Sequence, residues 1–340
     1  MSEKKIIIIG VNWLGDVIMT LPALKAACEI GKVTVITRPH LDSVYRLTGL
    51  PVNCSSIATN ESLFKVLHET KQIRKEKPDF AIAFPNSLRA AIVTKMCGAD
   101  YSVGFNTEMR SWLLSKAVKR PENYTKIHES RLYAMLTSEI GCKEPDYTLN
   151  APTFSDLVFN SSVKKVGVNP NKEYIVMAPG AAFGAAKRWP PHKFAEVATS
   201  FANYFPDIQI VVTAAEGEKN IVDEIISLAP FANVINTAGK TTIWELAALL
   251  SRARVLIAND SGTMHLAALY ATPTVVPVGP TDMVRTSALN PNFKPVISDS
   301  CPKIPCRQRV CPLKTHVCME SISSQLVFET AADFLYTKKD

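Results

Sequence analysis

The sequence alternates between short β-branched runs and helix-like stretches, and this alternation limits the fold more than any other feature does. The run Lys4–Gly10 holds four consecutive isoleucines and ends at a glycine, which is typical of a strand buried on both faces of a parallel sheet. A helix-like stretch follows, with Val17, Ile18, Leu21 and Leu24 on one side. Repeated strand–helix alternation predicts a doubly wound parallel sheet.

The same pattern predicts further elements in both halves of the chain. In the first half they are strand Val33–Thr37, helix Asp42–Leu47, helix Glu61–Lys77 and strand Phe80–Phe84. In the second half they are strands Tyr174–Ala178, Ile208–Thr213, Asn233–Asn236, Arg254–Ala258 and Thr274–Val278, with helices Pro190–Tyr204, Glu216–Leu228, Thr242–Ser251, Gly262–Tyr270 and Ser321–Tyr336. Pro22 is expected in or near the first turn of its helix, because proline deep inside a helix removes a hydrogen bond.

The rhythm breaks between Tyr147 and Glu173, where Pro152 and Asn169-Pro170-Asn171 interrupt it. We therefore expect an N-terminal domain at 1–155, a linker at 156–172 and a C-terminal domain at 173–340. A return of the terminal helix to the first domain is left open. Two such α/β domains facing each other would leave a cleft at the carboxyl ends of their strands, where ligands usually bind.

Length and charge agree with this division. The 340 residues suggest two domains, and a net charge of +7 is too small and too evenly spread for a nucleic-acid-binding protein. The early apolar run is too short for a signal peptide, and no stretch is long enough to span a membrane. We expect a cytoplasmic protein with reduced thiols.

The loop after the first strand carries an acid. The spacing of Gly10 and Gly15 lacks the dinucleotide fingerprint, and Asp16 and Val17 stand where a phosphate-binding loop needs Lys and Ser or Thr. Asp16 can then be a general base at the rim of the cleft. It can equally be the N-cap of the following helix, and both interpretations stay open.

Two later loops suit anions. The loop Pro179–Pro190 is rich in Gly and Ala and brings Lys187 to a helix start, a favourable place for a diphosphate. The loop Asn259–His265 offers hydroxyl and backbone donors at another helix start. A solvated Lys-Arg pair, an N-cap at Asp260 and a structural His265 are the alternatives. Together the loops suggest transfer from a nucleotide-linked donor, and no Asp-x-Asp pair indicates a metal.

In order along the chain, Trp13-Leu14-Gly15-Asp16, Gly104-Phe105-x-Thr107-Glu108-Met109-Arg110, the Pro179–Pro190 loop and Asn259–His265 resemble the lipopolysaccharide heptosyltransferases of glycosyltransferase family 9. The resemblance implies an α/β fold of GT-B architecture, with two Rossmann-like domains facing across a cleft. It implies a metal-independent, inverting enzyme without a cofactor. The donor would be ADP-heptose, and the acceptor an anionic, lipid-linked oligosaccharide of the lipopolysaccharide inner core.

The resemblance also implies roles for individual residues. Asp16 matches the catalytic base, and Arg110 lies in the acceptor-side motif. The positions that match donor-binding residues are Gly15, Gly180, Lys187, Glu218, Asp260, Ser261, Gly262, Thr263 and His265. Ala182 departs from the pattern, since one branch of the family usually has Glu there. Another sugar nucleotide therefore remains an alternative donor. A nucleotide-sugar epimerase and a non-catalytic nucleotide-sugar binder are further alternatives.

Two further features lie outside this scheme. Cys301, Cys306, Cys311 and Cys318 form a cluster without the paired arms of common zinc sites, so we expect packed reduced thiols, with a disulfide or a metal as alternatives. A second segment is basic, and peripheral contact with the inner membrane is a hypothesis that follows from its charge. Its cations are Arg110, Lys116, Lys119, Arg120, Lys126 and Arg131.

Overall fold

Each half of the chain forms a six-stranded parallel sheet in the computed structural model, which describes residues 3–56 and 63–336. The first unit runs through Thr148 and includes Val284–Ser287. The second unit takes Leu149–Met283 and continues from Ala288. The second unit thus begins before the expected boundary at residue 155.

The first sheet has the strand order β3-β2-β1-β4-β5-β6, and all neighbouring strands are parallel. Its strands are β1 (Lys4–Ile9), β2 (Gly31–Thr37), β3 (Val52–Ser56), β4 (Phe80–Ala83), β5 (Tyr101–Phe105) and β6 (Lys116–Val118). Its helices are α1 (Leu14–Cys28), α2 (Asp42–Leu47), α3 (Leu63–Lys75), α4 (Leu88–Met96) and α5 (Glu129–Ser138). The order reverses between β1 and β4, which is where ligands bind in sheets of this type.

The second sheet repeats this order as β12-β11-β10-β7-β8-β9. Its strands are β7 (Tyr174–Ala178), β8 (Gln209–Val212), β9 (Val234–Asn236), β10 (Leu256–Ala258), β11 (Thr274–Val278) and β12 (Phe293–Ile297). Its helices are α6 (Asp156–Lys165), α7 (Pro191–Tyr204), α8 (Lys219–Leu228), α9 (Ile243–Ser251), α10 (Gly262–Ala268), α11 (Met283–Thr286), α12 (Val317–Glu320) and α13 (Ser324–Tyr336). Of α11, only the residue Met283 belongs to the second unit.

The apolar runs of the central strands are buried, as the sequence predicts. All five residues of β7 and of β11 are buried. In the first sheet Ile6–Ile9 are at most 2% exposed. Helices cover both faces of these strands. Side chains on both faces are therefore buried and apolar, and the strands do not alternate between apolar and polar residues.

The expectation for Pro22 was wrong. It lies inside α1, eight residues after the helix begins at Leu14. The cost of a proline in a helix interior is outweighed here by burial, since most of α1 from Val17 to Ala27 is buried. Tertiary packing has overridden local preference.

The range expected as a linker contains a helix. Ser155 is the N-cap of α6 and its hydroxyl accepts a hydrogen bond from the backbone N–H of Val158 at 3.4 Å. Phe159 and Val163 of α6 are buried, and the helix packs on α9. The terminal helix α13 packs on α7 within the second unit.

Two expectations reach beyond the described residues. The expected start of a helix at Glu61 and the last four residues of the C-terminal domain lie outside them. Among the residues that the structure does describe, no helix is long and apolar enough to cross a bilayer.

Candidate active site

Asp16 lies at the carboxyl edge of the first sheet, directly after its central strand β1. Helix α1 has Trp13 as its N-cap, so Asp16 is the third residue of the helix and the N-cap interpretation is wrong. A carboxylate in the first turn is stabilised by the positive end of the helix dipole. The side chain is partly buried, and its position leaves a role as general base open.

Tyr133 of α5 lies near Asp16 and is buried. Burial raises the pKa of Tyr133, and the neighbouring Asp16 carboxylate raises this pKa further. The phenol therefore stays protonated at neutral pH. Asp16 is left as the acidic group of this pair that can accept a proton.

Arg110 is completely buried in the first unit. Its Nε donates to the carbonyl of Phe105 at 3.0 Å, and its Nη1 donates to the carbonyls of Pro85 and Ser87 at 2.6 and 2.9 Å. Burial lowers the pKa of Arg110 to about 10. The guanidinium thus supports the turn after β5, and contact with an acceptor stays a prediction.

The loop Pro179–Pro190 follows β7 and is held to the end of β10 by Asn259. The Asn259 side chain donates to the carbonyl of Pro179 at 2.7 Å and accepts from the backbone N–H of Trp189 at 2.9 Å. Asn259 and Trp189 are both 0% exposed. One buried amide therefore fixes both ends of the loop, in the region where the second sheet reverses its order.

Lys187 and Asp260 form an ion pair at this edge. The Lys187 Nζ lies 2.9 Å from the Asp260 Oδ2, with the two side chains 14% and 6% exposed. The same ammonium lies 4.9 Å from the centre of the Phe183 ring. Because the lysine is held by a carboxylate and an aromatic face, its cation is positioned before any ligand binds.

Glu218 completes the loop from the neighbouring strand β8. Its Oε1 accepts from the backbone N–H of Ala181 at 2.9 Å and from Arg188 at 3.0 Å. A Cβ at Gly180 would lie 2.2 Å from the other carboxylate oxygen. A side chain at position 180 would therefore displace the Glu218 carboxylate from its present position.

The start of α10 lies beside the same loop. Ser261 is its N-cap, so the N-cap alternative for Asp260 was wrong. The Ser261 hydroxyl is buried with no hydrogen-bond partner among the described residues. Gly262 and Thr263 are partly buried, and His265 is buried. The structure therefore places Gly180, Lys187, Glu218 and the 260–265 segment on adjacent strand ends of the second sheet, while Gly15, Asp16 and Arg110 lie in the first unit.

Sequence reasoning missed a support for this loop from the cysteine-rich segment. The Ala186 backbone donates to the carbonyl of Arg309 at 3.1 Å, and its carbonyl lies 2.9 Å from His316 Nε2. A Cβ at Gly184 would lie 2.4 Å from the Arg309 carbonyl. The contact is between backbones of distant segments, so no residue pattern signals it.

The four clustered cysteines line one small cavity next to Ala186 and His316, and all carry free thiols. Burial, and to a smaller extent the other three thiols, raise the pKa of Cys318 to about 11. Hydrogen bonds from backbone N–H groups lower the pKa of Cys311. Within residues 3–56 and 63–336, no group of three His, Cys, Asp or Glu side chains is arranged to hold a metal ion.

The profile of glycosyltransferase family 9 (heptosyltransferase) matches residues 66–317. Lipooligosaccharide heptosyltransferase 2 of Campylobacter jejuni is 30% identical over 331 residues, which cover 95% of this chain and 96% of the relative. Lipopolysaccharide heptosyltransferase 2 of Escherichia coli is 26% identical over 86% of each chain. The chain belongs to glycosyltransferase family 9.

Solved structures of the family confirm the predicted GT-B fold. E. coli ADP-heptose lipopolysaccharide heptosyltransferase II superposes with a TM-score of 0.83 at 21% identity, over 98% of both chains. A family 9 glycosyltransferase from Veillonella parvula gives a TM-score of 0.84 at 20% identity, over 99% of this chain and 98% of that one. This member of family 9 is therefore a glycosyltransferase with two Rossmann-type sheets.

Proposed function

We propose that this family 9 enzyme transfers heptose from ADP-heptose to the inner core of lipopolysaccharide, with inversion at the anomeric carbon and without a metal. The observation that carries the proposal is the Lys187–Asp260 pair at the carboxyl edge of the second sheet, a buried and pre-positioned cation where a diphosphate would bind. The names of the C. jejuni and E. coli relatives support heptose as the sugar.

The donor side of the reaction is assigned to the second unit. Lys187, helped by backbone N–H groups of its loop and of the Ser261–Thr263 segment, stabilises the charge that develops on the departing diphosphate. His265 lies on helix α10, as do Gly262 and Thr263, and contacts the donor. Glu218 accepts hydrogen bonds from the ribose hydroxyls, exchanging its present contact with Ala181 for the ligand.

The acceptor side is assigned to the first unit. As the acceptor hydroxyl oxygen bonds to the anomeric carbon, its proton passes to the Asp16 carboxylate and the bond to the diphosphate oxygen breaks. Gly15 leaves room for the donor next to this acid. The products are the extended oligosaccharide, ADP and a protonated Asp16 that returns its proton to water.

The acceptor is an anionic, lipid-linked oligosaccharide, and no nucleic acid takes part. Arg110 retains a proposed role on this side, which would require the turn after β5 to open. The enzyme works in the cytoplasm, in peripheral contact with the cytoplasmic face of the inner membrane, because its acceptor is anchored there.

Turnover with defined substrates tests the proposal. Purified enzyme is incubated with ADP-heptose, with and without a Kdo–heptose–lipid A acceptor, in the presence of a chelator, and the glycan is analysed by mass spectrometry. We expect one added heptose and one ADP per turnover. Asp16→Asn should lower kcat by about a hundredfold or more while ADP binding stays within about twofold.

The same assay separates the alternatives. Turnover of another ADP- or UDP-sugar alone would replace heptose as the donor, and the absence of the usual Glu at position 182 makes this comparison necessary. Conversion of the donor without acceptor would indicate an epimerase. Binding without any turnover would indicate a nucleotide-sugar binder and would refute the proposed transfer.

A further inference from the structure

Large apolar side chains are exposed at one edge of the first unit. Among the side chains described for residues 3–148, those of large apolar residues exposed by more than a third are Trp13 (50%), Leu88 (39%), Met109 (88%) and Trp112 (76%). Trp13 is the N-cap of α1, Leu88 is the first residue of α4, and Met109 and Trp112 lie in the connection from β5 to β6. Because parallel strands end at the same edge of a sheet, Trp13, Leu88 and Met109 follow strand ends at the edge that carries Asp16. Trp112 comes two residues after Arg110, whose guanidinium binds the 85–88 segment of that edge.

The turn that carries the two most exposed of these side chains is firmly held. Thr107 donates to the carbonyl of Asn86 at 2.7 Å, and Glu108 accepts from the backbone N–H of Leu88 at 2.9 Å. The buried Arg110 binds the same 85–88 segment. Met109 and Trp112 therefore lie on a turn that several hydrogen bonds hold in place in this structure.

The backbone of this turn is also strained. Glu108 and Met109 both have positive φ angles, 48° and 53°, which L-residues with side chains rarely adopt. Strained backbone persists only where the surrounding contacts enforce it. The contacts of Thr107, Glu108 and Arg110 thus hold the backbone in this conformation, with the Met109 side chain exposed.

Cations accompany the apolar side chains. Arg89 follows Leu88, while Lys119 follows β6 at the same edge and Lys126 comes soon after; both lysines are exposed. The carboxylate of Glu108 is engaged with the backbone of Leu88. Trp and Met flanked by Lys and Arg suit the boundary between headgroups and acyl chains of an anionic bilayer.

We propose that this apolar edge, defined as Trp13, Leu88, Met109 and Trp112, docks on an anionic phospholipid bilayer, with Met109 and Trp112 inserted between the headgroups. The inference rests on the proposed function, because a lipid-linked acceptor lies in such a bilayer. Docking by this edge presents the headgroup sugars directly to the loop that holds Asp16. Apolar insertion adds to the electrostatic attraction that the basic segment alone would supply.

Vesicle sedimentation tests the docking. Sucrose-loaded vesicles of phosphatidylethanolamine and phosphatidylglycerol are compared with vesicles of phosphatidylcholine alone. The double variant Met109→Ser/Trp112→Ser should lower partitioning to the anionic vesicles by about tenfold, the loss expected when two exposed apolar side chains no longer insert. Phe231→Ser is the matched control, since Phe231 is 92% exposed in the second unit.

Two further measurements make the outcome decisive. The single variant Trp112→Phe should partition to the anionic vesicles within about twofold of the parent chain, because an aromatic ring still inserts. Turnover on a water-soluble, deacylated acceptor should be unchanged in the double variant, whereas turnover on vesicle-embedded acceptor should fall.

Equal vesicle binding by the double variant and the parent chain would overturn the docking proposal. So would dissociation of a dimer by the double variant in sedimentation velocity without any change in vesicle binding, because the edge would then contact a second copy. If instead the parent chain shows no turnover on the soluble acceptor, the proposed function is refuted. The two failures are therefore distinguishable.

Discussion

Gly180 shows how a single small residue shapes the donor loop. A Cβ at this position would come within 2.2 Å of the Glu218 carboxylate, which holds the Ala181 backbone and Arg188. The carboxylate is at the far end of a flexible side chain, so it can move away and the fold can survive. What is lost is the position of Glu218.

We expect Gly180→Ala to raise the KM for the sugar nucleotide by about tenfold, which corresponds to about 1.4 kcal/mol of binding, with little change in kcat. Steady-state kinetics at varied donor concentration measure this. Gly217→Ala is the control, since a Cβ at Gly217 meets nothing within 4 Å. Equal KM values for the two variants would remove Glu218 from the donor site.

His128 is the N-cap of helix α5, and it makes this cap sensitive to pH. His128 Nδ1 accepts from the backbone N–H of Ser130 at 3.2 Å, and Nε2 lies 3.0 Å from the carbonyl of Ser287, to which its N–H donates. Both contacts suit the neutral imidazole. Burial lowers the pKa of His128 below 6.5.

This pKa makes the helix cap sensitive to acid. The unfolded chain binds a proton on His128 near pH 6.5 and the folded chain only at lower pH, so this residue's contribution to stability falls as pH decreases from 6.5 towards the folded pKa. We expect His128→Asn, which can still cap a helix, to flatten the dependence of the free energy of unfolding on pH between about 7 and 5. Urea unfolding at several pH values measures it. A parallel slope in both proteins would contradict the expectation.

At the scale of the whole molecule, we expect ADP to slow amide hydrogen exchange in the second unit and not in the first. If Lys187 and the 259–265 segment bind the diphosphate, saturating ADP should slow amide hydrogen exchange in 179–190 and 259–265. At a ligand concentration of about a hundred times Kd, the stabilisation is about 2.7 kcal/mol. Exchange in α5 of the first unit should be unchanged.

The matched variants for this measurement are Lys187→Ala and Lys172→Ala. Lys172 is exposed just before β7, at the amino end of the strand rather than the carboxyl end. Only Lys187→Ala should abolish the protection by ADP. Protection that persists in Lys187→Ala would show that backbone N–H groups alone hold the diphosphate.

The sequence predicts eight of the twelve strands in the described residues and misses β3, β5, β6 and β12, and it predicts the buried polar groups poorly. Strand β7 was predicted at its observed bounds because its five residues are apolar and fully buried. Pro22 was misplaced because tertiary burial of α1 outweighs proline's local preference. The burial of Arg110 had no signal in the sequence, since arginine side chains are usually exposed. Its role depends on carbonyls supplied by another loop.

The chain crosses between its units more than once, because Val284–Ser287 belongs to the first. This short return supplies the Ser287 carbonyl that receives the His128 N–H, and it supplies Arg285, which pairs with Glu129. A fragment that ends at Thr148 would therefore contain α5 without either of these partners. The first unit is built from two separate segments of the chain, so a continuous stretch of sequence cannot encode it alone.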